Sequence, residues 1–190
     1  MSDRSKDSSQ QSAEGDVESL RPIQESHPIG ILVQREIEAR IVAPIYRELV
    51  ARLGRSQARQ ILEKAVLQDA EEAGREFAKE AEPGQEMRHF IDIQKYWEQD
   101  DALDTDHLEE SDERYSYDVH HCAYADMYRR LGLGDLGFIL SCSRDVAFAR
   151  GYNKNLELDR ASTIMQGANL CPFRYVLKQG SDISDDKPEQ

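Results

Sequence analysis

The sequence predicts an α+β domain in which N-terminal helices pack with a small antiparallel β-sheet formed mainly by the C-terminal half. Three observations carry this. Apolar residues recur every three or four positions up to about residue 99, which is the helical period. Tyr115, Tyr117 and Val119 alternate with Ser116, Asp118 and His120, the period of a strand with one buried face. Two extended runs, 156–166 and 171–178, flank a Gly-Ala-Asn turn at 167–169 and read as an antiparallel hairpin. Helices first and strands afterwards suit an α+β layout.

The first helix begins near Pro28 and carries Val33, Ile37, Ile41, Ile45, Leu49 and Leu53 as its apolar stripe. Pro44 lies inside it and predicts a kink or break, because proline removes one backbone donor. Gly54 suits its C-cap. Ser56 suits the cap of a second helix, whose stripe runs through Ile61, Leu62, Ala65, Val66, Ala70 and Phe77 to Pro83-Gly84. A third helix, 86–99, offers Met87, Phe90, Ile91 and Trp97 on one side. The acidic run 100–114 lacks calcium-loop spacing and reads as a solvated connection with a short helical turn. After the strand at 114–122 comes a helix that stops at Gly132/Gly134. Asp135 can cap the next helix, which ends at Gly151.

The 190 residues suit one domain, 28–179, between polar tails at 1–27 and 180–190 that hold too little apolar surface to fold. The net charge of −13 argues against a nucleic-acid partner. No apolar run approaches the ~20 residues of a membrane span, and the N-terminus lacks an apolar signal core. Three cysteines without a C-x-x-C read as reduced thiols of a cytoplasmic protein.

The residue types of a site collect between Ser141 and Tyr175. Cys142 and Asp145, three apart on a helix, share a face. A carboxylate raises the pKa of a neighbouring thiol, so a nucleophilic Cys142 needs a base or a cation as well. His120, His121, Arg144, Arg160 and Arg174 are the candidates. Otherwise Cys142 is a small buried apolar residue. His120-His121-Cys122 looks like metal ligands, but adjacent strand residues face opposite ways. A divalent metal such as zinc, held by Cys122, Cys142, Cys171 and a histidine, is the alternative to a site without cofactor, although the usual short ligand pairs are missing. Arg160 and Arg174 fall on neighbouring strands, where either can grip a carboxylate. On ideal strands Arg160 and Thr163 face opposite ways, and so do Cys171 and Arg174. One pocket served by all four requires a bulge or a strand end. Phosphate-binding loops, G-x-S-x-G and HExxH are absent.

These segments, HHCAYADMYRRLGLGDLGFILSCSRDVAFARGYN and LDRASTIMQGANLCPFRY, resemble the L-2-amino-thiazoline-4-carboxylic acid hydrolase family. The elements that carry the likeness are Cys122 before a helix, Cys142 with Asp145, Gly151, Arg160 with Thr163, Gly167, and Cys171 with Phe173. Pro172 departs from it, standing where many relatives are expected to hold an acid. The resemblance implies a hydrolase that opens a small cyclic amidine at a carbon–nitrogen bond. Fitted to these residues, Cys142 attacks, Asp145 holds the amidinium, and His120 or His121 moves the proton. Arg160 or Arg174 anchors the substrate carboxylate, and Thr163, Cys171 and Cys122 complete the binding site. A metal-bound water is the competing mechanism. A non-catalytic small-molecule-binding or sensory domain on the same fold is the alternative function. Homo-oligomerisation through the N-terminal helices is a further expectation.

Overall fold

A computed structural model describes residues 29–178, and the two expected tails lie outside the described residues. The architecture is α+β. Three helices, α1 (Ile31–Leu53), α2 (Arg55–Ala78) and α3 (Glu86–Glu98), come first. Strands β1 (Leu103–Glu110) and β2 (Arg114–Cys122) follow, then α4 (Ala123–Arg130), α5 (Gly134–Gly137) and α6 (Ser143–Tyr152). Strands β3 (Leu156–Asp159) and β4 (Cys171–Leu177) close the fold. The sheet order is β1-β2-β4-β3, with every neighbouring pair antiparallel. Among the described residues no helix is long and apolar enough to cross a membrane.

The central strands are the ones whose alternation is plain in the sequence. Tyr115, Tyr117 and Val119 of β2 and Cys171, Phe173 and Tyr175 of β4 are buried and line the core side of the sheet. Phe90 of α3 meets Tyr175 edge-on, with ring centroids 4.9 Å apart. Trp97 is a core anchor, set edge-on against Phe148 at 5.3 Å.

Four expectations are corrected. The acidic run is not only a connection. After a short 3-10 turn at Gln99–Asp101 it forms the edge strand β1. An edge strand with little buried surface needs no apolar run, and its charges and its two register shifts suit an edge that must not recruit other strands. The strand expected over 156–166 ends at Asp159, and Ile164–Gln166 forms a 3-10 turn instead, so residues 160–170 connect β3 to β4. No side chain caps α2, which starts directly after Gly54, held at φ 80°. Finally, α1 runs unbroken through Pro44, and its large aliphatic stripe faces outward. The buried residues of α1 are the small Ala39 and Ala43.

Helices α2 and α6 pack closely enough for glycine to be required on both sides. A methyl group on Gly151 would lie 2.0 Å from the Glu71 carbonyl oxygen, and one on Gly74 would lie 2.2 Å from that of Phe148. Backbone atoms on both sides leave no flexible group to give way. Gly151→Ala is therefore expected to destabilise the fold by about 2–3 kcal/mol. Thermal melting should drop by roughly 5–10 °C, and an unchanged melting temperature would contradict this packing.

Candidate active site

The site forms where the middle of the helical segment 134–152 meets the strand ends. Between α5 and α6 the chain makes one π turn, Phe138–Cys142. Such turns hold an extra residue in the helix and are often found at functional sites. Cys142 closes this turn, and Asp145 stands in the first turn of α6. Cys122 ends β2, and Cys171 begins β4.

Arg160 ties these parts together. Its Nη1 donates to Asp145 Oδ2, and its Nη2 donates to the Cys142 carbonyl oxygen at 2.8 Å. The guanidinium also lies over the Phe173 ring, 4.9 Å from its centroid. Only 6% of the Arg160 side chain is exposed. Its Nε is buried and has no hydrogen-bond partner among the described residues. Because β3 stops at Asp159, Arg160 is free of strand alternation, and the parity conflict with Thr163 does not arise.

Thr163 and Cys171 hold the connection in place. Thr163 is buried. Its hydroxyl accepts from the Gln166 N–H at 3.3 Å and donates to Gln166 Oε1 at 2.9 Å. The Cys171 thiol accepts from the Ile164 N–H at 3.1 Å. Arg129 also donates to the Ile164 carbonyl oxygen, so the connection is held from both sides.

Two expected members lie elsewhere. Arg174 alternates with the buried residues of β4 and so lies on the opposite face of the sheet. There it donates to Asp118 at 2.7 Å and to the Tyr117 and Phe173 carbonyl oxygens at 2.8 Å each. His120 falls at the register shift opposite Asp104 and Thr105 and is exposed. His121 is also exposed and bonds Asp126 at 2.9 Å. The geometry joins neither histidine to Cys142. Among the described residues, no group of three or more His, Cys, Asp or Glu is arranged to hold a metal ion. Two surface depressions, one beside Gln60, Lys64 and Arg150 and one beside Arg88 and Glu110, lie away from the thiols.

To the candidate cation Arg144 the structure adds Arg35, which spacing alone did not point to. Arg35 of α1 and Arg144 of α6 are largely buried, with 12% and 14% of their side chains exposed. Arg35 bonds Glu38, and Arg144 bonds Asp69 at 2.7 Å. Both cations act on the Asp145 carboxylate, and Arg35 also acts on Tyr124 and Tyr128 of α4. A signal existed: Arg35 shares its ridge with the buried Ala39 and Ala43, four and eight residues on.

The electrostatics keep the thiols protonated. Burial pushes the Cys142 thiol well up, Asp145 adds to this, and Arg160 opposes it. Burial pushes Cys122 up to about 11, although the Ala125 and Tyr124 N–H groups at the start of α4 favour its thiolate. Burial also raises Cys171, against the Ile164 N–H and Arg160. For Asp145, burial outweighs the pull of Arg160 and raises the carboxyl above its usual range. A carboxyl so placed readily takes up a proton.

Two outcomes follow. Arg160→Met leaves Asp145 without its cation in a largely dry setting. It should cost about 3 kcal/mol in denaturant unfolding, and Asp145→Ala in the same chain should recover part of that loss. The second concerns pH. Above pH ~9 the unfolded chain releases thiol protons that the folded chain keeps, so stability must fall as pH rises. Buried tyrosines act in the same direction at higher pH, Tyr128 being pushed up to about 12. Calorimetry should show melting temperature falling from pH 9 upward; a flat profile to pH 11 contradicts the burial of these groups.

No match was found among curated proteins. The sequence model of the L-2-amino-thiazoline-4-carboxylic acid hydrolase family matches residues 34–175, from α1 through β4, and so includes Arg35, all three cysteines, Asp145 and Arg160. With most of its length matched, the chain belongs to the L-2-amino-thiazoline-4-carboxylic acid hydrolase family.

Proposed function

We propose that this hydrolase opens 2-amino-thiazoline-4-carboxylate, or a close cyclic amidine, at a carbon–nitrogen bond through a covalent adduct on Cys142. The observation that carries the proposal is the joint presentation of Cys142 and Asp145 by the π turn, locked by Arg160. Support also comes from the family, whose name states that substrate.

The ring carbon between nitrogen and sulfur is the electrophile. Cys142 Sγ bonds to it while the thiol proton passes to Asp145, the carboxylate beside it with a raised pKa. The carbon–nitrogen bond then breaks, and Asp145 returns the proton to the departing ring nitrogen. Water adds to the remaining carbon and gives a proton to Asp145. The Cys142–carbon bond breaks, and the thiol recovers its proton. One water is consumed and a carbamoyl-cysteine is released. Asp145 thus takes the proton-carrying role first considered for His120, which stands exposed at the sheet's register shift.

The substrate carboxylate lies among Arg35, Arg144 and the open Nε of Arg160. Arg174 is engaged across the sheet and takes no part. Cys122 is near enough to act on the reacting thiol, while Cys171 and Thr163 hold the connection that carries Arg160. A second reading, a small-molecule-binding domain without turnover, draws on the protonated state of the thiols.

Incubation with 2-amino-thiazoline-4-carboxylate, followed by chromatography for carbamoyl-cysteine, separates the two. Turnover is expected, and binding without product favours the second reading. Cys142→Ser should lower kcat by about 10³-fold or more with binding retained. Full activity in that variant sinks the thiol route. Arg35→Ala should raise KM by roughly 10-fold with a smaller change in kcat.

A further inference from the structure

The outer face of α1 is apolar where a solvated helix should be polar. Val33, Ile37, Ile41 and Ile45 recur at every fourth position, and all four are exposed. Ile41 and Ile45 are 59% and 55% exposed. Ile29 and Leu53, exposed at either end, extend the same series. Its own core does not need this row, because Ala39 and Ala43 fill the inner face. An exposed run of branched aliphatics of this length marks an interaction surface.

The pattern beside the row points to its occupant. Glu36, Arg40, Pro44, Glu48 and Arg52 also stand at every fourth position. Reversed about Pro44, Glu36 falls opposite Arg52 and Arg40 falls opposite Glu48. The apolar series 33–53 is centred beside the same point. Both rows are therefore self-complementary under a two-fold axis, where residue i meets j and j meets i. Rows at four-residue spacing form ridges that mesh when two helices cross at about −50°. Charge permits the approach as well. The whole chain carries −13, yet α1 holds four arginines against three glutamates. Within one chain Arg40 contacts Glu36 at 2.5 Å and Arg52 contacts Glu48 at 3.7 Å, and each guanidinium has donors to spare.

We propose that α1 is the interface of a two-fold homodimer, with Ile37, Ile41 and Ile45 at its centre and Arg40 paired with the partner's Glu48 on either side of the axis. The face buried in the dimer is opposite to the one that carries Arg35, so each copy keeps its own site.

Sedimentation equilibrium of the full chain at micromolar concentration tests this. The expected particle has twice the 21.7 kDa mass of the chain. Ile41→Glu with Ile45→Glu should weaken association by ~100-fold or more while the circular dichroism spectrum stays that of the parent. Arg40→Glu alone and Glu48→Arg alone should each weaken it by ~10-fold, and the two together should restore it, because the exchanged charges meet again across the axis. Should the isoleucine variant not fold, the charge series decides. A monomeric parent chain overturns the proposal. So does a dimer that persists in the folded isoleucine variant, or a doubly exchanged variant no tighter than the single ones.

Discussion

The clamp made by Arg160 is the interaction on which the site depends. One guanidinium bonds the carboxylate of Asp145 and the carbonyl of Cys142, and stacks on Phe173. It therefore joins a helix, a connection and a strand. A planar fork of donors suits this task, and a lysine ammonium would not span the same acceptors. Most of the group is dry, so its bonds are strong and its remaining donor is costly to leave alone.

The surroundings make the clamp rigid. Cys171 and Thr163 fasten the connection that delivers Arg160, and the glycine contact between α2 and α6 fixes the helix that delivers Asp145. Buried Tyr117, Tyr124 and Tyr175, from β2, α4 and β4, lie close enough to feel the Asp145 charge. The same dryness that strengthens the ion pair keeps the thiols neutral. A substrate bearing positive charge changes that balance on entry, since a cation beside a thiol favours its ionised form.

The central strands, the helices and the pairing of Cys142 with Asp145 were legible because each follows from a local period. The edge strand β1 was not, because an edge with few buried side chains carries no alternating signal. The end of β3 was not, because Arg160 leaves the sheet for a partner fifteen residues back in sequence. His120 enters the expected site by residue type, and Arg174 by its place on a strand next to Arg160. His120 lies at a register shift, which is not a local fact, whereas Arg174 lies on the far face as the strand alternation from Cys171 requires. The stripe on α1 shows a different limit. Its period reveals that a face is apolar, but not whether the chain itself or another molecule covers it.

The π turn at Phe138–Cys142 has a consequence for how this chain can change. It stores one residue more than an α-helix needs. Tightening it into an ordinary α turn while keeping all its residues would yield a more regular helix. It would also rotate everything beyond it by about 100° relative to what comes before. Asp145 would leave Arg160, and the close contact of Gly151 with α2 would be lost with it. The irregular turn is thus a phase setting shared by the packing and the site. Neither can drift toward a more regular helix without the other, and the helix must keep its fault for the molecule to keep its shape.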